Sequence, residues 1–438
     1  MQTGAEEKGF QILNTTIVGS DALVIRVDFP MQGKPFHGRR VTAAAFLTFG
    51  IAVGLPYYNL PFFYDYFQRE FHWTKGQITF GFPLAALLTL WIGPLVVPRF
   101  SPRKLILTGT ALTCAAFVGF GTMRGALSVY YALWVVYTVG YILSGPIPHQ
   151  LIVSHWFRRM RGKAMGIVYV GIGVVGSLGS YIVKPLTEGA GFHAALMVWG
   201  ALMLLVWPLA LFVLRDRAAD TGCFPDGDAQ PPADHGDPPA AFADLLRQRA
   251  FWLLLAGSCC SIGAIGAVNF HMKFVFLDQG FTDRTPEGLA LLNSAWRVAS
   301  IVILVSSIAG RLAVGALADR FTKKWVMTAT YFLVAATIPM LLTVSPSHSP
   351  VWFAMLFGFG MGADYMLIPL MAAEEFGVNT LARAMAIILP VNTIGQTWFP
   401  YVVSVLREHF RNYTVAMGAV LVVSVIGAVA IMLLPRRA

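Results

Sequence analysis

Apolar residues in this chain come in long blocks separated by short polar breaks. The blocks lie near 41–66, 76–97, 104–122, 126–151, 163–185 and 192–214, and again near 251–277, 290–317, 325–344, 351–372, 384–405 and 413–434. At about 1.5 Å rise per residue each block is long enough to cross a hydrocarbon layer about 30 Å thick. The pattern predicts an all-α integral membrane protein of about twelve transmembrane helices, arranged as two six-helix bundles. Between the two sets, Arg215 to Gln248 is rich in Asp, Pro and Gly, a composition that buries no core and reads as a flexible linker. The expected segments are therefore a polar tail 1–40, a first bundle 41–214, a linker 215–249 and a second bundle 250–438 with a short tail. Met31 stands just before the basic Gly38-Arg39-Arg40 flank and is an alternative start. No apolar run before Val41 is long enough for a signal peptide.

Composition agrees with lipid as the solvent. Only 12% of the 438 residues are charged, against about 25% in soluble domains. The net charge of +10 does not point to nucleic acid, because the basic residues sit in short loops between apolar blocks. If the first segment lies inside the cell, alternate loops and tails hold 20 Lys and Arg on that side and 7 on the other. The positive-inside rule then places both termini in the cytoplasm, in a plasma or inner membrane. The four cysteines have no CxxC spacing, so neither a disulfide frame nor a zinc site is expected.

The two sets of blocks resemble each other. Lys163-Ala-Met-Gly-Ile167 opens the fifth and Arg383-Ala-Met-Ala-Ile387 the eleventh, an offset of 383 − 163 = 220; Arg99 and Arg320 follow the second and eighth at 320 − 99 = 221. Duplicated halves of this kind place a substrate site between them.

The eighth block carries the main chemical signal. Arg311 lies about 12 Å from Asp319 along a helix, near mid-membrane if Asp319 marks the surface. A charge at that depth faces a polar cavity or sits in a structural ion pair. A guanidinium offers a carboxylate two parallel donors and keeps its charge. Asp364 is the acid well inside the tenth block, and is either a protonatable coupling group or Arg311's neutralising partner. Asn59 and Tyr58 beside Pro56 and Pro61, Asn269 and His271 in the seventh block, and Asn392 in the eleventh are candidate walls of a substrate site. Tyr57, Tyr137, Tyr141, Tyr169 and Trp398 sit where further walls are expected. Gly171-Ile-Gly173-Val-Val-Gly176 fits GxGxxG, but it lies wholly inside an apolar block and reads as helix packing. No GxxxxGK[ST] loop, paired acids, HExxH or metal cluster is present in the spans, so neither an ATP-driven pump nor an enzyme is expected, and no cofactor or metal.

Gly315-Ala-Leu-Ala-Asp319-Arg320-Phe-Thr-Lys323-Lys324 resembles the loop motif of the major facilitator superfamily, with Thr322 in place of the usual second glycine. In that family the loop latches the halves in the outward-open state. The first-half copy has Pro98 where the aspartate belongs. A narrower resemblance is to the monocarboxylate porter and oxalate:formate antiporter branch. It rests on Phe71-His-Trp73-Thr-Lys75, on Trp156-Phe157…Arg161-Gly162-Lys-Ala-Met-Gly166, and on Gly310-Arg311. The resemblance implies that Arg311 binds substrate carboxylate. The porters' acid one turn earlier is replaced here by Ser307, and their first-span lysine is missing.

The expected function is secondary active transport of a small mono- or dicarboxylate by alternating access, proton-coupled or anion-exchanging, in a chain that works as a monomer. The alternatives are an exporter of another small molecule or drug, and a non-transporting membrane sensor. Against the drug exporter, the core of the fourth block, Tyr130 to Ile147, holds no basic residue. Against the sensor, neither linker nor tail looks foldable.

Overall fold

In the computed structural model, residues 36–228 and 240–435 are described. The predicted tail up to residue 35, the alternative start at Met31 and the last three residues lie outside them. Helices follow one another almost without interruption. They are α1 Gly38–Phe71, α2 (Gly76–Thr89 and Ile92–Arg99, bent by 41°), α3 Pro102–Thr122, α4 Leu127–Trp156, α5 Arg161–Ala190 and α6 Phe192–Phe212. The second set is α7 Arg249–Asp278, α8 Pro286–Arg320, α9 Lys323–Leu341, α10 Val351–Phe376, α11 Val378–Phe410 and α12 Tyr413–Met432. Among the described residues, 11 are long and apolar enough to span singly, and bent α2 makes the twelfth. The expected count holds.

Local chemistry marks the helix starts. Thr74 and Gln77 form a reciprocal capping box at α2, while Ser101 caps α3 and Thr285 caps α8 through their hydroxyls. Proline explains the broken spans. Pro56 and Pro61 remove two backbone donors from α1, which rewinds into a π turn at Gly50–Gly54 and a 3₁₀ turn at Leu60–Phe63. In α4 the chain leaves helical geometry at Gly145 and re-enters it at Pro146.

Close backbone crossings hold the bundles together. On α1 and α5, a Cβ on Gly50 would lie 2.6 Å from the Gly171 carbonyl oxygen, and one on Gly176 2.7 Å from that of Gly54. The glycine run of α5 is thus a packing surface, as its place inside an apolar block predicts. The α8–α10 pair is built in the same way: Gly310 sits on the carbonyl of Phe359 and Gly362 on that of Ser307, with no room for a methyl group. Such contacts fix one helix against the other, because the packed surfaces are backbone rather than side chain.

The ends of the expected linker are ordered. Asp226 accepts hydrogen bonds from the backbone N–H of Arg158 (2.9 Å) and Arg159 (2.7 Å) in the α4–α5 turn, and Arg159 also pairs with Asp228. At the far end, Ala240 N–H donates to Thr380 Oγ1 (3.1 Å) and its carbonyl accepts from Arg383 (2.5 Å). Asp226 docks one end onto loop backbone, and the α11 side chains Thr380 and Arg383 hold the backbone of the other, something composition does not reveal.

Candidate functional site

The two halves meet at the end of the bundle that carries the basic loops. Asp319, at the end of α8, accepts hydrogen bonds from the backbone N–H groups of Gly162 (2.6 Å) and Lys163 (2.9 Å) at the start of α5. These are orphan donors of a helix N-terminus, where a carboxylate is favoured by the dipole as well. Gly162 and Gly315 pack backbone to backbone beside this contact. Lys323 donates to Glu374 on α10 (2.5 Å), and Lys324 donates to the Leu434 carbonyl (2.5 Å). The first-half copy has no such carboxylate at Pro98; there Arg103 is spent on the end of α6, donating to the Ala210 carbonyl at 2.7 Å.

Above this closure, Arg311 projects from α8 toward α5. Its Nη1 donates to Ser307 Oγ at 3.2 Å, and its Nε, though buried, has no partner. Among the described residues no carboxylate lies within ion-pair distance of it. Its electrostatic neighbours are the hydroxyls of Tyr58 on α1, Tyr169 on α5 and Tyr365 on α10. The Tyr58 ring covers Gly176, and a Cβ on Gly173 would stand in ordinary contact with Arg311 Nη1 at 3.8 Å, so the guanidinium lies against the α5 backbone. Tyr57 is surrounded by protein yet 56% exposed, and Tyr58 is 44% exposed. Both rings keep solvent-accessible surface on α1. A cation among tyrosine hydroxyls, with an unused donor, is chemically ready for an anion.

Of the residues expected at the site, the structure brings Arg311 and Tyr58 together. Asn59 adjoins them, but its amide donates to the carbonyls of Leu55 (2.9 Å) and Gly176 (3.0 Å), where it ties α1 to α5. Asn392 is buried with its Oδ1 accepting from Ser258 (3.0 Å). Asn269 is exposed and its amide meets Met361 Sδ at 3.3 Å. His271 lies elsewhere, between the Tyr413 hydroxyl (3.1 Å) and the Pro400 carbonyl (2.8 Å). It lines a separate cleft of about 520 Å³ with Asp278, Arg407 and Glu408. Asp364 is not Arg311's partner. It points from another side of α10 and accepts from Ser261 on α7 at 2.7 Å; a one-residue step along a helix turns a side chain by about 100°, so Tyr365 takes the side toward Arg311.

Three contributors were not anticipated. Tyr365 is one. The others are Gln150, whose Nε2 donates to the Tyr169 hydroxyl (2.5 Å), and His149, fixed between the Gly145 carbonyl (2.8 Å) and Thr48 Oγ1 (3.0 Å). The available signal was a polar pair directly after Pro146-Ile-Pro148 in an apolar block, the mark of an interrupted span.

Comparison with known proteins decides the family. The model of the Major Facilitator Superfamily matches residues 54–400. The chain belongs to this superfamily. Among its relatives is the fujikurins efflux protein of Gibberella fujikuroi, 25% identical, with 81% of this chain and 73% of that one aligned. Monocarboxylate transporter 11 of Mus musculus is 28% identical, over 79% of this chain and 69% of its own length. The solved structure of FucP, a Major Facilitator Superfamily transporter in the outward conformation, superposes with a TM-score of 0.68 at 15% identity, covering 91% of this chain and 99% of FucP. That likeness establishes the fold, a multi-pass helical bundle. The resemblance drawn from the loop motif and from the Arg311 region is upheld, since both the superfamily and monocarboxylate transporters appear among the matches.

Proposed function

We propose that this facilitator carries a small organic anion, a mono- or dicarboxylate, with Arg311 as the clamp. The observation that carries the reading is a mid-membrane guanidinium with no carboxylate partner and an unpartnered buried Nε. Truly uncompensated charge in such a place costs several kcal/mol, and a bound carboxylate would offset it. Tyrosines 57, 58, 169 and 365 give the rest of the ligand a mixed aromatic and hydroxyl wall, with Asn59 beside it, Asn269 and Asn392 as further candidates, and His271 in its separate cleft. The duplicated bundles 41–214 and 250–438, joined by 215–249, would rock about this site, each chain acting by itself. Asp319, with Gly315, Arg320, Lys323 and Lys324, would hold the cytoplasmic side shut. The 20-to-7 bias of basic residues supports cytoplasmic termini in a plasma or inner membrane. Energy comes from a proton gradient or from exchange with a second anion.

The second reading, export of another small molecule, is supported by the fujikurins efflux relative and by the aromatic wall. Both are tested by loading proteoliposomes and following a panel of labelled mono- and dicarboxylates beside neutral and cationic aromatics, with and without an imposed pH gradient. Carboxylate-selective uptake is expected. Transport restricted to neutral or cationic compounds would select the exporter instead.

A further inference from the structure

The second half contains an acid that the Arg311 site does not use. Asp364 is wholly buried in α10. One carboxyl oxygen accepts from Ser261 on α7, while the other, Oδ1, has no well-formed hydrogen bond. Tyr331 comes toward the same carboxyl from α9, and its hydroxyl is also without a well-formed bond. Cys260 on α7 is the further titratable neighbour of that tyrosine, and Tyr365 stands beside Asp364 on α10. Two residues before Asp364, Gly362 packs on the backbone of Ser307 in α8. No Lys, Arg or His lies within ion-pair distance of Asp364 among the described residues. An ionised carboxylate in this place would stand without a counter-charge, at a cost of several kcal/mol. A proton on Oδ1 removes the charge and lets the acid donate to the Tyr331 hydroxyl, joining the two unpartnered oxygens.

We propose that Asp364, with Ser261 and Tyr331, is a proton site separate from the anion site, coupled to Arg311 through the glycine-packed pair α8 and α10. Arg311 directly follows Gly310 on α8, and the contacts of Gly310 with Phe359 and of Gly362 with Ser307 seat that helix directly on α10. Rearranging the α7–α9–α10 core to release the proton therefore moves the helix that holds the clamp. The step is a simple protonation: water on one side supplies the proton to Oδ1, and water on the other side takes it up, with no other bond made or broken. This replaces the acid that Ser307 lacks, on a neighbouring helix rather than one turn away. The inference rests on the carboxylate reading for what the proton drives, but not for the existence of the proton site.

Two measurements on the full-length protein test it. In proteoliposomes, Asp364→Asn is expected to abolish uphill uptake of a labelled monocarboxylate driven by a pH gradient, while exchange of internal for external substrate stays within about twofold of wild type. Retained exchange shows that the variant folds. In infrared difference spectra on pH titration, wild type and Arg311→Lys should both show a buried carboxylic-acid carbonyl band that Asp364→Asn lacks. Full gradient-driven uptake by Asp364→Asn, uptake that follows sodium in place of protons, or an unchanged band would overturn the proposal. If no carboxylate is moved by wild type but the band is lost in Asp364→Asn, the anion reading fails and the proton site stands.

Discussion

Arg311→Lys should lower carboxylate uptake by about 100-fold with the protein folded and inserted normally. The charge survives this change, so loss of a positive potential cannot account for the effect. What disappears is the planar pair of donors and the fixed direction of Nε, the buried atom that has no partner of its own. A charge-assisted hydrogen bond contributes about 1.5–3 kcal/mol, and 1.4 kcal/mol is a factor of ten, which gives the stated size for loss of one bond together with the fork geometry. Initial rates in proteoliposomes over a range of substrate concentration measure it, with chromatographic homogeneity and thermal unfolding as controls for folding. Near-normal uptake by the lysine variant would reject the clamp. Ser307→Ala removes the side-chain hydrogen bond of Nη1 and should cost about tenfold, since a hydrogen bond to a charged group contributes about 1.5–3 kcal/mol and 1.4 kcal/mol is a factor of ten.

Gly162→Ala should force the closure at the basic end apart. Its new Cβ would fall against the Gly315 carbonyl and 2.7 Å from Asp319 Oδ1, the very oxygen that accepts from Gly162 N–H. Backbone on a packed helix cannot yield as a flexible side chain does, and overpacking of this kind costs roughly 1–3 kcal/mol. The cost applies only where the halves touch, so it shifts the conformational equilibrium by about 5- to 150-fold toward the form open at that end. Spin labels at Lys163→Cys and Arg320→Cys should report a longer distance, and a cysteine at exposed Tyr57 should react more slowly with external reagent. Gly189→Ala makes no contact within 4 Å and should leave both readings unchanged. An unaltered distance in Gly162→Ala would show that this contact does not set the equilibrium.

Much of this architecture is legible in the chain because lipid leaves few choices. Backbone polar groups in hydrocarbon must be satisfied within a helix, so apolar blocks translate almost directly into spans. Even bent α2 falls where a block was expected, with Leu90 and Trp91 at its break. The loop from Gly315 to Lys324 is also readable, since its residues act through backbone and charge at a helix end. Facing is not. Asp364 and Tyr365 are neighbours in sequence, and only the packing of α10 on α8 decides that the tyrosine, not the acid, turns to Arg311. Gln150 was hidden for a similar reason: its importance comes from the Tyr169 hydroxyl on another helix. His271 shows the reverse case, a polar residue in a plausible place whose partners Tyr413 and Pro400 draw it into another cleft.

The serine at position 307 has a consequence for how the carrier answers membrane voltage. A binding site with its own acid would travel empty as a neutral pair. Here the vacant site travels with a bare guanidinium, and moving one elementary charge through the field costs about 2.3 kcal/mol per 100 mV. With Asp364 ionised on the same journey the two charges cancel, and with a monocarboxylate and a proton aboard they cancel again. Both the empty and the loaded journey are then electrically silent. Net monocarboxylate uptake by wild type should therefore ignore a potassium diffusion potential, whereas whatever net transport Asp364→Asn retains should follow its sign.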